Sequence, residues 1–141
     1  MKKLQPFLFL IAFLTACCAP SEEVKNATRD AQTKALFASI IASMEYYEEE
    51  YQEPVDIQNS VELADVIEGE NEKGITFYLF EDDERNKSGE ILDAYGNPIR
   101  VIVQVGRVTL YSTGSNGIMD SAPTSDDIVM HYKPQGHNQS R

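Results

Sequence analysis

From Val24 to about Tyr51, apolar residues recur at Ala27, Ala31 and Ala35, then at Phe37, Ile40, Ile41, Met44, Tyr47 and Tyr51. Neither Gly nor Pro interrupts the run. This spacing predicts one long helix with one apolar face, roughly 40 Å in length. Ser21 is placed to cap it, and Glu22 and Glu23 suit its positive end. The first third is polar and alanine-rich, which predicts shallow packing there. Glu48, Glu49 and Glu50 lie near the negative end, where they cost a little stability. Pro54 stops the helix.

The pattern then changes. Asn59-Ser60-Val61-Glu62 has capping-box spacing, which predicts a short helix over Val61–Ile67 ended by Gly69. Ile75 to Phe80 is rich in aromatic and β-branched residues and predicts a strand. Residues 81–90 read as a charged, solvated loop. Ile99, Val101, Val103 and Val105 alternate with Arg100, Ile102 and Gln104, and Val108 and Leu110 continue beyond Gly106-Arg107. Antiparallel pairing of 99–105 with 108–112 follows, through a two-residue type II′ turn with Gly106 first. Ser112 to Ser125 is a long loop, Ile128 to Tyr132 a last strand, and 134–141 a polar tail. Helices followed by strands argue for α+β: a long N-terminal helix packed on a small antiparallel sheet, with long loops.

The front of the chain has its own order. Lys2 and Lys3 precede an apolar stretch from Phe7 to Leu14 and then small residues, the order of a secretory signal peptide. The stretch is too short for a bilayer core, which needs about 20 residues. Leu14-Thr15-Ala16-Cys17 resembles the lipobox of bacterial lipoproteins. That resemblance implies a signal over 1–16, an acylated Cys17 that anchors the chain in a membrane, and a tether over 17–23. A cut before Cys18, a plain signal peptide and a short anchor helix are the other readings. With Cys17 acylated, Cys18 has no partner and no disulfide framework exists. Cys18 rather than Asp after the anchor implies the outer membrane, facing the periplasm.

Charge narrows the partners. The chain of 141 residues has 23 acidic and 12 basic residues and a net charge of −11. Losing Lys2 and Lys3 with the signal would take it to −13 over the 125 residues left. That length suits one domain, here 24–133. Such acidity argues against nucleic acid, which needs a basic footprint, and against a polybasic grip on anionic lipid.

Three segments together resemble the soluble domain of type II secretion pseudopilins, most closely the major pseudopilin. They are a helix ending in Tyr46-Tyr47 with a Glu-rich turn before Pro54; Ile91-Leu92-Asp93-Ala94-Tyr95-Gly96-Asn97-Pro98; and Leu110-Tyr111-Ser112-Thr113-Gly114-Ser115-Asn116-Gly117 followed by Asp126-Asp127-Ile128. The similarity spans roughly 25–132. Tyr95 stands where that family favours Trp, and Asn116 where it favours Asp. Tyr51-Gln52-Glu53-Pro54 lacks the family's Gly. The family's leader and long apolar helix are replaced by the lipobox, which speaks against ordinary filament assembly. The resemblance implies a structural or accessory part of a secretion or pilus-like system, with pilin-like proteins as partners. A lipoprotein that binds a glycan or peptide is the alternative.

In that family the loop equivalent to 112–127 folds around calcium. Ser112, Asn116, Asp126 and Asp127 match its pattern, and Asp120 is added on charge and position. Calcium takes six to eight oxygens. The loop is not an EF-hand, because aligning Gly117 with the invariant Gly puts Pro123 where Glu is required. An acidic loop that needs no ion is the competing reading. Enzyme signals are poor. His131 and His137 lack zinc spacing, no phosphate loop or nucleophile elbow occurs, and Asp82-Asp83 are adjacent acids in a turn. Tyr46, Tyr47, Tyr51 and Tyr78 read as packing residues.

Overall fold

The computed structural model describes residues 19–119 and 126–135. Helix α1 spans Glu22–Tyr51 and α2 spans Ser60–Glu68. Strands β1 (Arg100–Gln104), β2 (Arg107–Ser112) and β3 (Ile128–Tyr132) form one antiparallel sheet in the order β1-β2-β3. The fold is α+β, a long helix against a small sheet, as the order of patterns predicts.

Ser21 caps α1, its hydroxyl accepting from the Val24 N–H. The helix ends at Gln52, in the left-handed region at φ 59°, whose N–H donates to Glu48 O at 2.8 Å. Pro54 follows two residues later, where it prevents continuation. Thirty residues make α1 about 45 Å long. Its contact face is Thr33, Leu36, Phe37, Ile40, Ser43, Met44 and Glu48. Ala27, Ala31 and Ala35 are exposed instead. The first third is indeed shallow, with only Asn26, Arg29 and Asp30 half-buried among residues 22–31.

Phe37, Ile40 and Met44 join Ile57, Leu63, Ile67, Ile91, Ile99, Leu110 and Ile128 in one core. Asn59 caps α2, its Oδ1 accepting from Val61 N and Glu62 N. Glu62 answers on the Gln58 N–H, one residue earlier than a capping box requires.

Residues Ile75–Phe80 are not a strand. The end of α2 takes their donors: Phe77 N and Tyr78 N both reach Ile67 O, and Phe80 N reaches the Glu68 carboxylate. Phe77 packs on Tyr47 and Tyr51, and Tyr78 edge-on to Phe80. Ring packing uses these residues without a ladder, so β propensity is overridden by context. The 81–90 loop is held too: Arg85 pairs with Asp65 and Glu68 and donates to Gly89 O.

The hairpin turn is Val105-Gly106, between the paired Gln104 and Arg107. Gly106 is its second central residue, at φ 68°. A type II′ turn needs the positive φ first, so that expectation is corrected.

Replacing Ile40 by Ala should cost about 2–5 kcal/mol, whereas Ala31→Ser on the exposed face should stay within about 0.5 kcal/mol. Urea unfolding measures both. Equal costs would put the contact face of α1 elsewhere.

Candidate functional site

The loops gather where β2 ends, beside the first half of α1. Their centre is Asp93, an almost fully buried carboxylate. Its Oδ1 accepts from Tyr95 N at 2.9 Å and Asn97 N at 2.8 Å, and its Oδ2 from the Ser112 hydroxyl at 2.6 Å. The Asp-x-x-Gly order favours this, since an Asp at the first position of a turn bonds its own backbone ahead. Gly96 N also closes on Asp93 O at 2.9 Å.

Two further sets of bonds extend the cluster. Toward the helix, Ala94 N donates to Thr33 Oγ1 at 3.1 Å. The Tyr95 hydroxyl donates to Asp30 at 2.6 Å, and the Arg29 guanidinium lies over the Tyr95 ring. Burial first, and then the bond to Asp30, push the Tyr95 hydroxyl up to about 12. Toward the sheet, Ser112 Oγ accepts from Gly114 N at 3.1 Å, and Asn97 Nδ2 donates to Gly114 O at 3.0 Å. Gly114 has φ 58°, and a Cβ there would lie 1.8 Å from Asp126 O. No side chain fits. The one-turn 3₁₀ helix Gly114–Asn116 therefore lies directly on the Asp126 backbone.

The expected ligand residues divide. Asn116 and Asp126 come together, with Asn116 N and Ser115 Oγ donating to Asp126 Oδ2 at 3.1 and 3.2 Å. Asn116 Oδ1 accepts from Ile118 N at 2.6 Å. Ser112 turns inward, its hydroxyl engaged by Asp93 and Gly114. Asp127 is half-buried just before β3. Asp120 and Cys17 lie outside the described residues. Among the described residues no group of three or more His, Cys, Asp or Glu could hold a metal. Of the expected ligands, Asn116 and Asp126 are the two that the structure brings into direct contact.

His131 Nδ1 lies 2.9 Å from the Thr109 hydroxyl across the β2–β3 pair. Asp82 and Asp83 are exposed. Tyr47 and Tyr51 stack at 4.3 Å, Tyr78 donates to Glu84, and Tyr46 is exposed. Glu48 is buried and accepts from the Tyr132 hydroxyl and from Gln135 N. A cleft of about 550 Å³ runs between α1 and residues 78–96, with Leu36 and Leu92 on its lining and Tyr78 and Tyr95 beside them.

Sequence reasoning missed Asp93, Thr33 and Glu48. For Asp93 the Asp-x-x-Gly turn was a usable signal. For Thr33 and Glu48 there was none, because their partners lie far along the chain.

No protein-family model matches the chain. No curated protein matches it, and no solved structure matches it. No helix among the described residues is long and apolar enough to cross a membrane.

Asp93→Ala would leave the Tyr95 and Asn97 N–H groups and the Ser112 hydroxyl without their acceptor. Each buried donor left unpaired costs about 1–3 kcal/mol. The expected loss in urea unfolding is several kcal/mol, against about 0.5 kcal/mol or less for Asp82→Ala. Similar losses in both would remove Asp93 from the centre.

Proposed function

We propose that the chain is a lipid-anchored, non-enzymatic protein of the cell envelope. It serves as a structural or accessory part of a type II secretion or pilus-like assembly. The observation that carries this reading is the meeting of the segments that resemble a major pseudopilin. Asp93–Pro98, Ser112–Gly117 and Asp126 form one hydrogen-bonded cluster against α1.

The anchor fits that geometry. Three residues lie between Cys17 and the cap Ser21, and the four steps along the chain reach at most about 14 Å. An acylated Cys17 would hold the start of α1 close to the bilayer. The loop cluster, at Thr33 and Asp30, would face the membrane side. The hairpin turn and the Glu48–Tyr132 contact would lie toward the far end of the helix. An acyl anchor in place of an apolar helix leaves a subunit that meets its partners at the membrane surface.

A second reading, a lipoprotein that binds a glycan or peptide, is favoured by the cleft beside Tyr78 and Tyr95. Tyrosine rings offer an apolar face and a polar tip to such ligands. Co-purification with secretion components separates the two readings.

Cys17→Ser should move the protein from the membrane fraction to the soluble one. Mass spectrometry of the native chain should show an acylated Cys17 at its start. A membrane-bound Cys17→Ser protein, or a methylated prepilin-type end, would contradict the anchor.

Calcium at the 112–127 loop is a separate proposal. A cation bound only by the folded state adds about 2.7 kcal/mol at a hundredfold excess over Kd. The melting temperature should therefore fall with a chelator and recover with calcium. An unchanged melt leaves the hydrogen bonds around Asp93 and Asp126 as the loop's closure.

A further inference from the structure

Asn116 and Gly117 are exposed, at the end of the one-turn 3₁₀ helix. Asparagine occurs at 26, 59, 71, 86, 97, 116 and 138, and only Asn116 precedes a glycine. An asparagine amide is open to attack by the backbone nitrogen that follows it. A following residue without a side chain hinders that approach least, and asparagine is among the thermolabile residues for such reasons.

The other described asparagines are poorly placed. Asn97 precedes Pro98, which has no N–H to lose. Asn59 holds Val61 N and Glu62 N as a cap. The Asn71 amide donates to Val66 O and Ile75 O, and the Asn86 amide to Glu90. Asn26 lies inside α1. At Asn116, Oδ1 accepts from Ile118 N at 2.6 Å. That bond folds the side chain along its own backbone and draws electron density from Cγ, which makes Cγ a better electrophile.

We propose that Asn116-Gly117 is a self-modifying site whose rate is set by the grip of its turn on Asp126. The Gly117 nitrogen forms a bond to Asn116 Cγ, the Cγ–Nδ2 bond breaks, and ammonia leaves with the proton from Gly117. Water then opens the five-membered imide at either carbonyl. One product has aspartate at 116. The other has isoaspartate, with an extra methylene in the backbone.

The grip is specific. Asn116 N and Ser115 Oγ both donate to Asp126 Oδ2, and Gly114 packs on Asp126 O. Ring closure requires the backbone at 116 to rotate out of this turn, so the rate follows the fraction of time the turn is open. Either product places a new carboxylate close to that of Asp126. The isoaspartyl product also inserts its extra methylene between Cα116 and the Gly117 nitrogen, which changes the path of the chain out of the turn. The modification thus converts a closed loop into a more acidic, open one without any enzyme or cofactor. It does not depend on the lipid anchor.

The test is incubation of the purified full-length chain at mildly alkaline pH, followed by isoelectric focusing and peptide mass mapping. The expected result is one added negative charge, located at Asn116 before any other asparagine reacts, and absent from Asn116→Gln. Ser115→Ala removes one of the two side-chain and amide donors to Asp126 and should speed the reaction. Asp126→Ala should speed it further, with circular dichroism to confirm folding. Conversion of another asparagine first would overturn the site. So would an Asn116 that stays intact in the urea-unfolded full-length chain over the time in which a peptide of residues 114–119 reacts. Unchanged rates in the folded Ser115→Ala and Asp126→Ala proteins would overturn the control by Asp126.

Discussion

The buried carboxylate of Asp93 holds together parts of the chain that no sheet or helix joins. It takes two N–H groups from its own turn and the Ser112 hydroxyl from the end of β2. Charge-assisted bonds of this kind are roughly twice as strong as neutral ones. Segment 93–98 belongs to no strand, and 113–117 has only one 3₁₀ turn. Their positions relative to α1 rest on this carboxylate, on Thr33 and on the bond from Tyr95 to Asp30. The same residues tie the loops to the sheet and to the helix.

A second buried carboxylate does a similar job at the other end. Glu48 receives the Tyr132 hydroxyl from the end of β3 and the N–H of Gln135 beyond it. The Tyr132 hydroxyl is pushed well above its ordinary range, by burial first and then by Glu48. The sheet is therefore fastened to α1 by apolar packing in the middle, by the Glu48 carboxylate near one end, and near the other by the turn that Asp93 holds on Ser112, whose Ala94 and Tyr95 bond Thr33 and Asp30. Under the proposed anchoring, the Asp93 end lies toward the membrane and the Glu48 end away from it.

Much of this was legible in the sequence, for identifiable reasons. The run from Val24 to Tyr51 gave the helix through its spacing, alternation gave β1 and β2 to within a residue or two, and the last strand was read at the bounds of β3. The contact face of α1 was harder to read. Alanine favours helix but has no strong preference for inside or outside, so Ala27, Ala31 and Ala35 marked the helix and not its buried side. Thr33, Ser43 and Glu48 occupy that side because Ala94, Phe77 and Tyr132 supply partners from far along the chain. Ile75–Phe80 looked like a strand because its composition is that of one. The N–H groups of Phe77, Tyr78 and Phe80 are taken by Ile67 and Glu68, and that of Ile75 by Asn71. In the candidate site, the turn-rich loop after Ser112 was visible. The acceptor that closes it, Asp93, was visible only as a turn residue.

The most direct test of the Asp93 cluster is native-state hydrogen exchange at the amides of Tyr95, Asn97 and Gly114. If Asp93 and Ser112 lock these loops to the body, the three amides exchange together, at rates approaching those of the core amides of β2. Exchange of all three at the rate of an open surface loop, with β2 still protected, would show that the loops are not held by Asp93.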